Sequence, residues 1–175
     1  MRLAELMPAP DSPVRAYGDW KRFVSENGFR PPDDYRMLIR EYGAGTFGDW
    51  LHLIEPFNPE WTFMQKVQVE CEKLRRSQQM ATPSGPGWPI WPESGGLLPW
   101  AVTLTGEHVS WRTVGPPDSW TTVLWGKEGW AEYALGTVGF LLGLAERNLG
   151  DPRFDDEGGN PFLDNGTRAF APSRS

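Results

Sequence analysis

The spacing of the apolar residues changes along the chain, from a helical period in the first 80 residues to strand-like runs between residues 97 and 133. Apolar residues three or four positions apart share one face of a helix, whereas runs rich in Val, Thr and Trp suit extended strands. The predicted order is helix, helix, strand, helix, several strands and a closing helix. This order lacks the alternation of a doubly wound sheet. It therefore predicts an α+β fold, in which a mainly antiparallel sheet is flanked by about four helices.

The first helix is predicted over residues 12–27, with Ser12 as the N-cap residue. Trp20 and Val24 follow Tyr17 by three and seven positions, which places the three on one apolar face, and Phe23 widens that face.

The second helix begins at Pro32, and Asp33 and Asp34 lie in its first turn, where the helix dipole favours negative charge. Gly43 is expected to end this helix as a left-handed residue. The predicted apolar face consists of Tyr35, Leu38, Ile39 and Tyr42.

A strand is predicted over residues 46–54, and a third helix follows over residues 59–79 with Asn58 as its cap. The last helix is expected to start near Thr137. The inward-facing residues predicted for these two helices are Phe63, Val67, Cys71, Leu74, Phe140, Leu141 and Leu144.

Four further strands are predicted in the second half of the chain, over residues 98–104, 108–114, 120–125 and 130–133. Gly106 lies in the three-residue turn between the first two of them.

We divide the chain into an N-terminal extension (residues 1–12), a domain (13–148) and a loosely ordered acidic tail (149–175). The tail lacks any apolar period. Within the domain, residues 80–96 are rich in Pro and Gly, which favours extended backbone. Because this loop also carries Trp88 and Trp91, we expect it to lie against the domain.

The composition excludes several classes of protein. A single cysteine cannot form an intramolecular disulfide, so a disulfide-stapled secreted scaffold is excluded. The first ten residues lack the apolar run of a signal peptide, and no stretch is long enough to span a bilayer, so we expect a cytoplasmic protein without membrane contact. The net charge of −6 disfavours nucleic acid as a partner.

The residues suited to catalysis do not form a motif. His52 and His108 are the only histidines, and Cys71 lies on an apolar helix stripe, where it is a typical core residue. One cysteine and two distant histidines do not make a zinc site. The glycines at 43, 45 and 48 follow a helix instead of opening one, as a phosphate loop would. We therefore expect a non-enzymatic protein without metal or cofactor.

Several short motifs occur in an order that resembles SMI1/KNR4 domains of the SUKH superfamily, over about residues 14–147. The opening motifs are a Trp-containing helix, a Pro-Asp-Asp-Tyr helix start and a glycine-rich turn into the first strand. A central hairpin with two Trp-bearing strands follows. The residues that carry the resemblance are Trp20, Pro32, Tyr35, Gly43, Gly45, Gly106, Trp111 and Trp120. The chain departs from the family at Pro31, where Leu is usual, and at residues 103–105, where many members carry acids.

The resemblance implies a SUKH-like fold and a binding function, since the bacterial members are largely regarded as immunity proteins against toxins, many of them nucleases. The alternative that it leaves open is a regulatory scaffold without a toxin partner, as in fungal members. A nuclease toxin is expected to be basic, so an acidic surface with aromatic anchors could capture it. The candidate partner-binding residues are Asp33, Asp34, Trp88 and Trp91. The Trp residues in the strand-rich part of the chain between residues 97 and 133, which we call the β half, are expected to pack in the core or to form a binding platform.

Overall fold

The computed structural model describes residues 2–80, 85–127, 129–155 and 170–173. Its helices are α1 (Arg2–Leu6), α2 (Trp20–Asn27), α3 (Asp33–Tyr42), α4 (Phe63–Met80), a short 3-10 helix (Pro117–Ser119), α5 (Thr137–Glu146) and α6 (Pro152–Asp155). Its strands are β1 (Gly45–Phe47), β2 (Leu51–Leu53), β3 (Leu97–Thr103), β4 (His108–Arg112), β5 (Thr121–Gly126), β6 (Gly129–Tyr133) and β7 (Phe170–Pro172). No helix within the described stretches is both long enough and apolar enough to cross a bilayer.

The strands form one seven-stranded sheet in the order β6-β5-β4-β3-β2-β1-β7. Every neighbouring pair is antiparallel. This confirms the predicted α+β class with an antiparallel sheet. The six α-helices of the described residues exceed the predicted four or so, because the short helices α1 and α6 lie outside the predicted domain.

Helices cover both faces of the sheet. Neighbouring side chains of a strand point to opposite faces, so the contacts of β4 and β5 identify which helix lies on which face. On one face, Trp111 of β4 meets Tyr35 of α3 edge-on, with 5.0 Å between ring centroids. On the other face, His108 of β4 contacts Glu70 of α4, and the Trp125 indole donates to the Ser77 hydroxyl at 2.9 Å. The sheet is therefore the middle of three layers, with α3 and α5 on one side and α4 on the other.

The first predicted helix is wrong in its start and in part of its face, since Phe23 is buried as predicted but Tyr17 and Val24 are exposed. Helix α2 begins only at Trp20, where the Asp19 carboxylate accepts hydrogen bonds from two backbone amides and so takes the capping role assigned to Ser12. A Cβ atom on Gly18 would lie 2.4 Å from the Phe57 ring. The Gly18 backbone therefore lies directly on the Phe57 ring, and Tyr17, which precedes the helix, is 75% exposed.

The predicted strand over residues 46–54 is instead a hairpin of β1 and β2. Gly48 and Asp49 both have positive φ, 61° and 53°, and reverse the chain between the strands. Turns with two successive positive-φ residues match the twist of a hairpin, and Gly and Asp are residues that accept them. The Gly-Asp pair was the signal for this turn.

Helix α3 confirms the predicted bounds and buried face, since Tyr35, Leu38, Ile39 and Tyr42 are all fully buried. Gly43 follows it with a φ of 72°, but its ψ of −154° is not left-handed helical as expected. This backbone region is essentially restricted to glycine.

Helix α4 buries the predicted stripe but starts four residues later than expected. Asn58 does not cap it. The Thr62 hydroxyl accepts from the Gln65 amide at 3.2 Å, and the Gln65 side chain accepts from the Thr62 amide at 2.8 Å. This reciprocal pair is a capping box, which defines the start of a helix.

Both ends of the described chain pack into the same core as the domain. Leu3 and Met7 are fully buried, and the Tyr42 hydroxyl donates to the Met7 carbonyl at 2.7 Å. Phe154 and Phe170 are also buried, and β7 pairs with β1. The expectation of a loosely ordered tail therefore does not hold for residues 149–155 and 170–173, while residues 156–169, 174 and 175 lie outside the described residues.

Candidate partner-binding surface

Asp33 is exposed, but its charge is already compensated within the chain. Its carboxylate binds Arg30 at 2.6 Å and Arg36 at 2.9 Å. Arg30 also pairs with Asp118, whose carboxylate accepts from the Asp33 amide at 2.7 Å. That backbone hydrogen bond, aided by Arg30, lowers the pKa of Asp118. The network joins the start of α3 to the 3-10 helix, which gives Asp33 a structural role.

Asp34 is turned into the protein instead of towards a partner. Its Oδ2 accepts from the Val138 backbone amide at 3.0 Å, in the first turn of α5. The N-cap residue of α5 is Gly136, which has no side chain to cap the helix. Asp34 therefore supplies the cap of a helix 104 positions away in sequence.

Trp88 and Trp91 lie against the body, as predicted for their loop, although neither projects as an isolated anchor. Trp88 is only 8% exposed, meets Trp130 edge-on at 4.8 Å and has the Arg112 guanidinium over its ring at 5.6 Å. Trp91 is half-buried against Phe29, and its carbonyl accepts from Arg75. These contacts fasten the loop to the sheet and to α4.

Tyr35, Trp111, Trp120 and Pro32, which carry the resemblance, are all buried. The Tyr35 hydroxyl donates to the Ile54 carbonyl at 2.6 Å, and burial raises the pKa of this phenol well above its ordinary value. The Trp111 indole donates to the Thr137 hydroxyl at 3.0 Å, and the Trp120 indole donates to the Gly115 carbonyl at 3.0 Å. Pro32 is the N-cap residue of α3.

The glycines and Trp20 of the same set serve backbone contacts and packing. A Cβ atom on Gly43 would lie 2.2 Å from the Val14 carbonyl oxygen, and one on Gly45 would lie 2.4 Å from the Ala171 carbonyl oxygen. Gly106 holds a φ of 88° in the β3–β4 turn. Trp20 meets Phe57 edge-on at 4.7 Å. Close backbone approach therefore explains two of these glycines, and turn conformation explains the third.

His108 belongs to a buried charge cluster beneath α4. Its Nε2 lies 3.1 Å from Oε2 of Glu70, whose Oε1 accepts from Lys66 at 3.1 Å and from Lys73 at 3.0 Å. Burial alone would raise the pKa of Glu70, but hydrogen bonds from His108, Lys73 and Lys66 outweigh it and lower the pKa to about 2. The cluster holds a carboxylate between α4 and the sheet.

Two further groups suited to nucleophilic or acid–base chemistry, Cys71 and His52, lie on different elements, α4 and β2. Burial raises the pKa of the neighbouring Cys71 thiol to about 11, whereas a reactive cysteine requires a lowered value. His52 is exposed on β2, where its Nδ1 lies 2.8 Å from the Thr46 hydroxyl. Across the described ranges, no three or more His, Cys, Asp or Glu side chains form a group that could hold a metal ion.

Trp61 was not among the predicted site residues, yet it is 52% exposed and the most exposed of the ten tryptophans, all of which lie in described residues. In the β half, Trp100, Trp111, Trp120 and Trp125 are buried in the core, whereas Trp130 is 39% exposed. The position of Trp61 just before the α4 cap, off the buried stripe of that helix, was the signal that could have identified it.

Two adjacent concave surfaces share Trp61. One, of about 450 Å³, lies between α2 and the start of α4 and includes Arg22 and Glu26. The other, of about 910 Å³, runs along the outside of α4. Val69 lies within it and is 51% exposed. We call the second surface the α4 outer face; its residues are Glu60, Trp61, Gln65, Lys66, Gln68, Val69, Glu72, Lys73 and Arg76.

Comparison of the chain with protein-family models, with curated proteins and with solved structures gave no match.

Proposed function

We propose that this protein is a non-catalytic protein-binding module, and specifically an immunity protein that neutralises a toxin by direct contact. The observation that carries the proposal is the exposure of Trp61 between two concave surfaces, with Val69 exposed along the same helix. Exposed Trp residues are enriched at the energetic centres of protein interfaces. The two concavities give a partner room to enclose the ring and exclude water from it.

The placement of the motif residues supports the SUKH part of the proposal. The chain runs from a helix through Pro32 and Tyr35 into α3, and then through the glycine-rich turn into β1. The Trp-bearing strand β4 follows later, with Trp120 just before β5. This is the order that the resemblance implied, and these residues contribute to the core and the turns, as expected of residues that specify a fold.

The net charge and the positions of the acidic residues bear on which partner would bind and where it would make contact. The net charge of −6 favours a basic partner in the long-range field. However, Asp33 already pairs with two arginines and Asp34 caps α5, so both carboxylates serve contacts within the chain. We therefore place the contact at Trp61 and not at the start of α3.

A pull-down from cells of the natural host, followed by mass spectrometry, tests the proposal. An immunity protein captures a protein that arrests growth when expressed alone, and co-expression of this chain restores growth. The purified pair should bind, and Trp61→Ala should weaken binding by at least about tenfold, as expected for an interface hot spot. Leu104→Ala, which removes an exposed side chain in the β3–β4 turn, is the matched control.

Two results would count against this function. Capture of a harmless protein would favour the regulatory scaffold over the immunity protein. If Trp61→Ala and Leu104→Ala bound the captured protein equally well, Trp61 would not be the anchor of the interface.

A further inference from the structure

One of the two concave surfaces beside Trp61 is built on aromatic rings. This surface, which we call the α2–α4 groove, has a volume of about 450 Å³ and lies between α2 and the start of α4. Phe23 and Phe63 line it as buried rings that meet edge-on, with 5.2 Å between their centroids. Trp61 lies at its edge, where it is half-exposed. Sites of about 300–1,000 Å³ hold small ligands, so the groove has room for a single side chain of a partner.

Acidic residues predominate among the ionisable side chains of the α2–α4 groove. They are Asp19, Glu26 and Glu60, with Arg22 as the one base among the lining residues, so the formal charge is −2. Arg22 pairs with Glu26 at 2.6 Å, which leaves the carboxylates of Asp19 and Glu60 in excess. Asp19 accepts hydrogen bonds from the backbone amides of Lys21 and Arg22, which are uncharged donors and leave its negative charge in place. Within the described residues, Glu60 forms no ion pair.

The α4 outer face, on the other side of Trp61, has no such excess. Its ionisable residues are Glu60, Lys66, Glu72, Lys73 and Arg76. Lys66 and Lys73 both bind Glu70, which is buried beneath the helix. Arg76 binds Glu72 at 3.1 Å. With Glu70 included, three acids balance three bases, so the α2–α4 groove is the surface that can select a partner by charge.

We propose that the α2–α4 groove receives an arginine side chain of a basic partner protein, with the guanidinium over the Trp61 ring and its N–H groups donating to the carboxylates of the groove. The inference rests on the protein-binding function proposed above and names the chemistry that the partner presents to Trp61. A cation over the face of a Trp ring is attracted by the negative charge of that face, and nearby carboxylates add to the attraction.

Arginine fits this groove better than other occupants do. A guanidinium stacks flat on an aromatic ring, is more weakly hydrated than an ammonium and donates to carboxylates from its edge. Lysine supplies the charge but not the flat stacking surface. A carboxylate or a phosphate would meet the two excess acids and be repelled. The net charge of −6 has the same sign as the groove, so the long-range field also favours a basic partner.

Nuclear magnetic resonance titration of the isotope-labelled full-length chain tests the inference, with the Trp61 indole N–H signal as the probe. The signal is assigned by its loss in Trp61→Phe. The added compounds are the N-acetyl amides of arginine, of lysine and of citrulline, which has the shape of arginine without its charge. At about 10 mM, the arginine compound should move the signal at least about fivefold further than the citrulline compound and about twofold further than the lysine compound. Raised salt should reduce these differences.

Variants of the groove then locate the binding. Asp19→Asn combined with Glu60→Gln removes both excess charges and keeps the helix cap, since Asn caps a helix about as well as Asp does. This double variant should reduce the shift caused by the arginine compound at least about threefold and leave the shift caused by the citrulline compound unchanged. The matched control, Glu5→Gln with Glu93→Gln, removes two exposed acids outside the groove and should leave the arginine response unchanged.

Three results would overturn the inference. They are equal shifts by the arginine and citrulline compounds, a larger shift by the N-acetyl amide of glutamate, and an unchanged arginine response in the double variant.

The captured natural partner separates this inference from the binding function. If it bound the Asp19→Asn, Glu60→Gln variant as tightly as wild type, the groove would not hold an arginine of the partner, while the binding function would stand. If no protein were captured, the proposed function would lose its support, whereas a Trp61 shift specific to the arginine compound would still support the preference of the groove.

Discussion

The Asp34 carboxylate caps helix α5 by accepting a hydrogen bond from the Val138 amide at 3.0 Å. Replacing Asp34 by Ala leaves this amide of the first turn without its partner, and loss of a capping side chain costs about 0.5–2 kcal/mol. We expect Asp34→Ala to lower the free energy of unfolding, measured by urea denaturation, by that amount. Asp34→Asn retains an oxygen acceptor and should lose less. The neighbouring Asp33→Ala, which removes exposed ion pairs, should lose less than about 1 kcal/mol. Equal losses at both positions would contradict the cap.

Gly43 and Gly28 form a matched pair for separating backbone strain from steric overlap. Both have positive φ, but a Cβ atom on Gly43 would lie 2.2 Å from the Val14 carbonyl oxygen, whereas one on Gly28 meets nothing within 4 Å. Gly28→Ala should cost about 1 kcal/mol from conformation alone. Gly43→Ala should cost clearly more, and Gly43→Val more again, in thermal unfolding. Similar melting temperatures for the two Ala variants would show that the backbone at Val14 moves aside without cost.

The buried Glu70 cluster makes a specific prediction about pH. The pKa of Glu70 is about 2 in the folded protein, below its ordinary value of 4.5. A lowered folded-state pKa contributes stability above the unfolded-state value, and this stability is lost as pH falls from about 4.5 to about 2. Wild type should therefore lose stability across this interval, and Glu70→Gln should lose less of it.

Glu70→Gln should itself be destabilised near neutral pH by roughly 1–3 kcal/mol, because it weakens a buried hydrogen-bond network. The matched control is Glu72→Gln on the exposed side of the same helix, which should cost less than about 1 kcal/mol. If Glu70→Gln and Glu72→Gln lost the same amount of stability between pH 7 and pH 2, the cluster would not be responsible for the acid sensitivity.

Phe170 provides the test of how the C-terminal segment contributes. Its ring centroid lies 5.2 Å from that of Tyr42 and 4.8 Å from that of Phe47. Loss of a buried Phe side chain costs about 3–5 kcal/mol, and Phe170→Ala should fall near the lower end because β7 is an edge strand. Truncation after Asn148 removes Phe154 as well and should destabilise further. Met37→Ala, at an exposed position on α3, should change stability by less than about 0.5 kcal/mol. Wild-type stability of the truncated chain would restore the predicted boundary at residue 148.

Local pattern was sufficient for much of the fold. The sequence alone indicates the apolar stripes of α3 and α4 and the runs of Val, Thr and Trp in β3 to β5. A helix or strand that buries one face must repeat its apolar residues at its own period. The capping box of α4 and the Gly48-Asp49 turn are local signals too, although the predicted start of α4 and the predicted single strand over residues 46–54 miss them.

Other features have no local signal because they depend on residues distant in sequence. Helix α2 begins at Trp20 where Gly18 meets Phe57, α5 is capped by Asp34, and Phe170 is buried because β7 adds to β1. Each of these contacts joins residues that meet only in the folded chain. The sequence around either residue therefore does not predict the contact. The candidate site has the same origin. Trp is buried in most proteins, so residue type alone does not single out Trp61, and its 52% exposure at the edge of the concavity between α2 and α4 is decided by the tertiary packing.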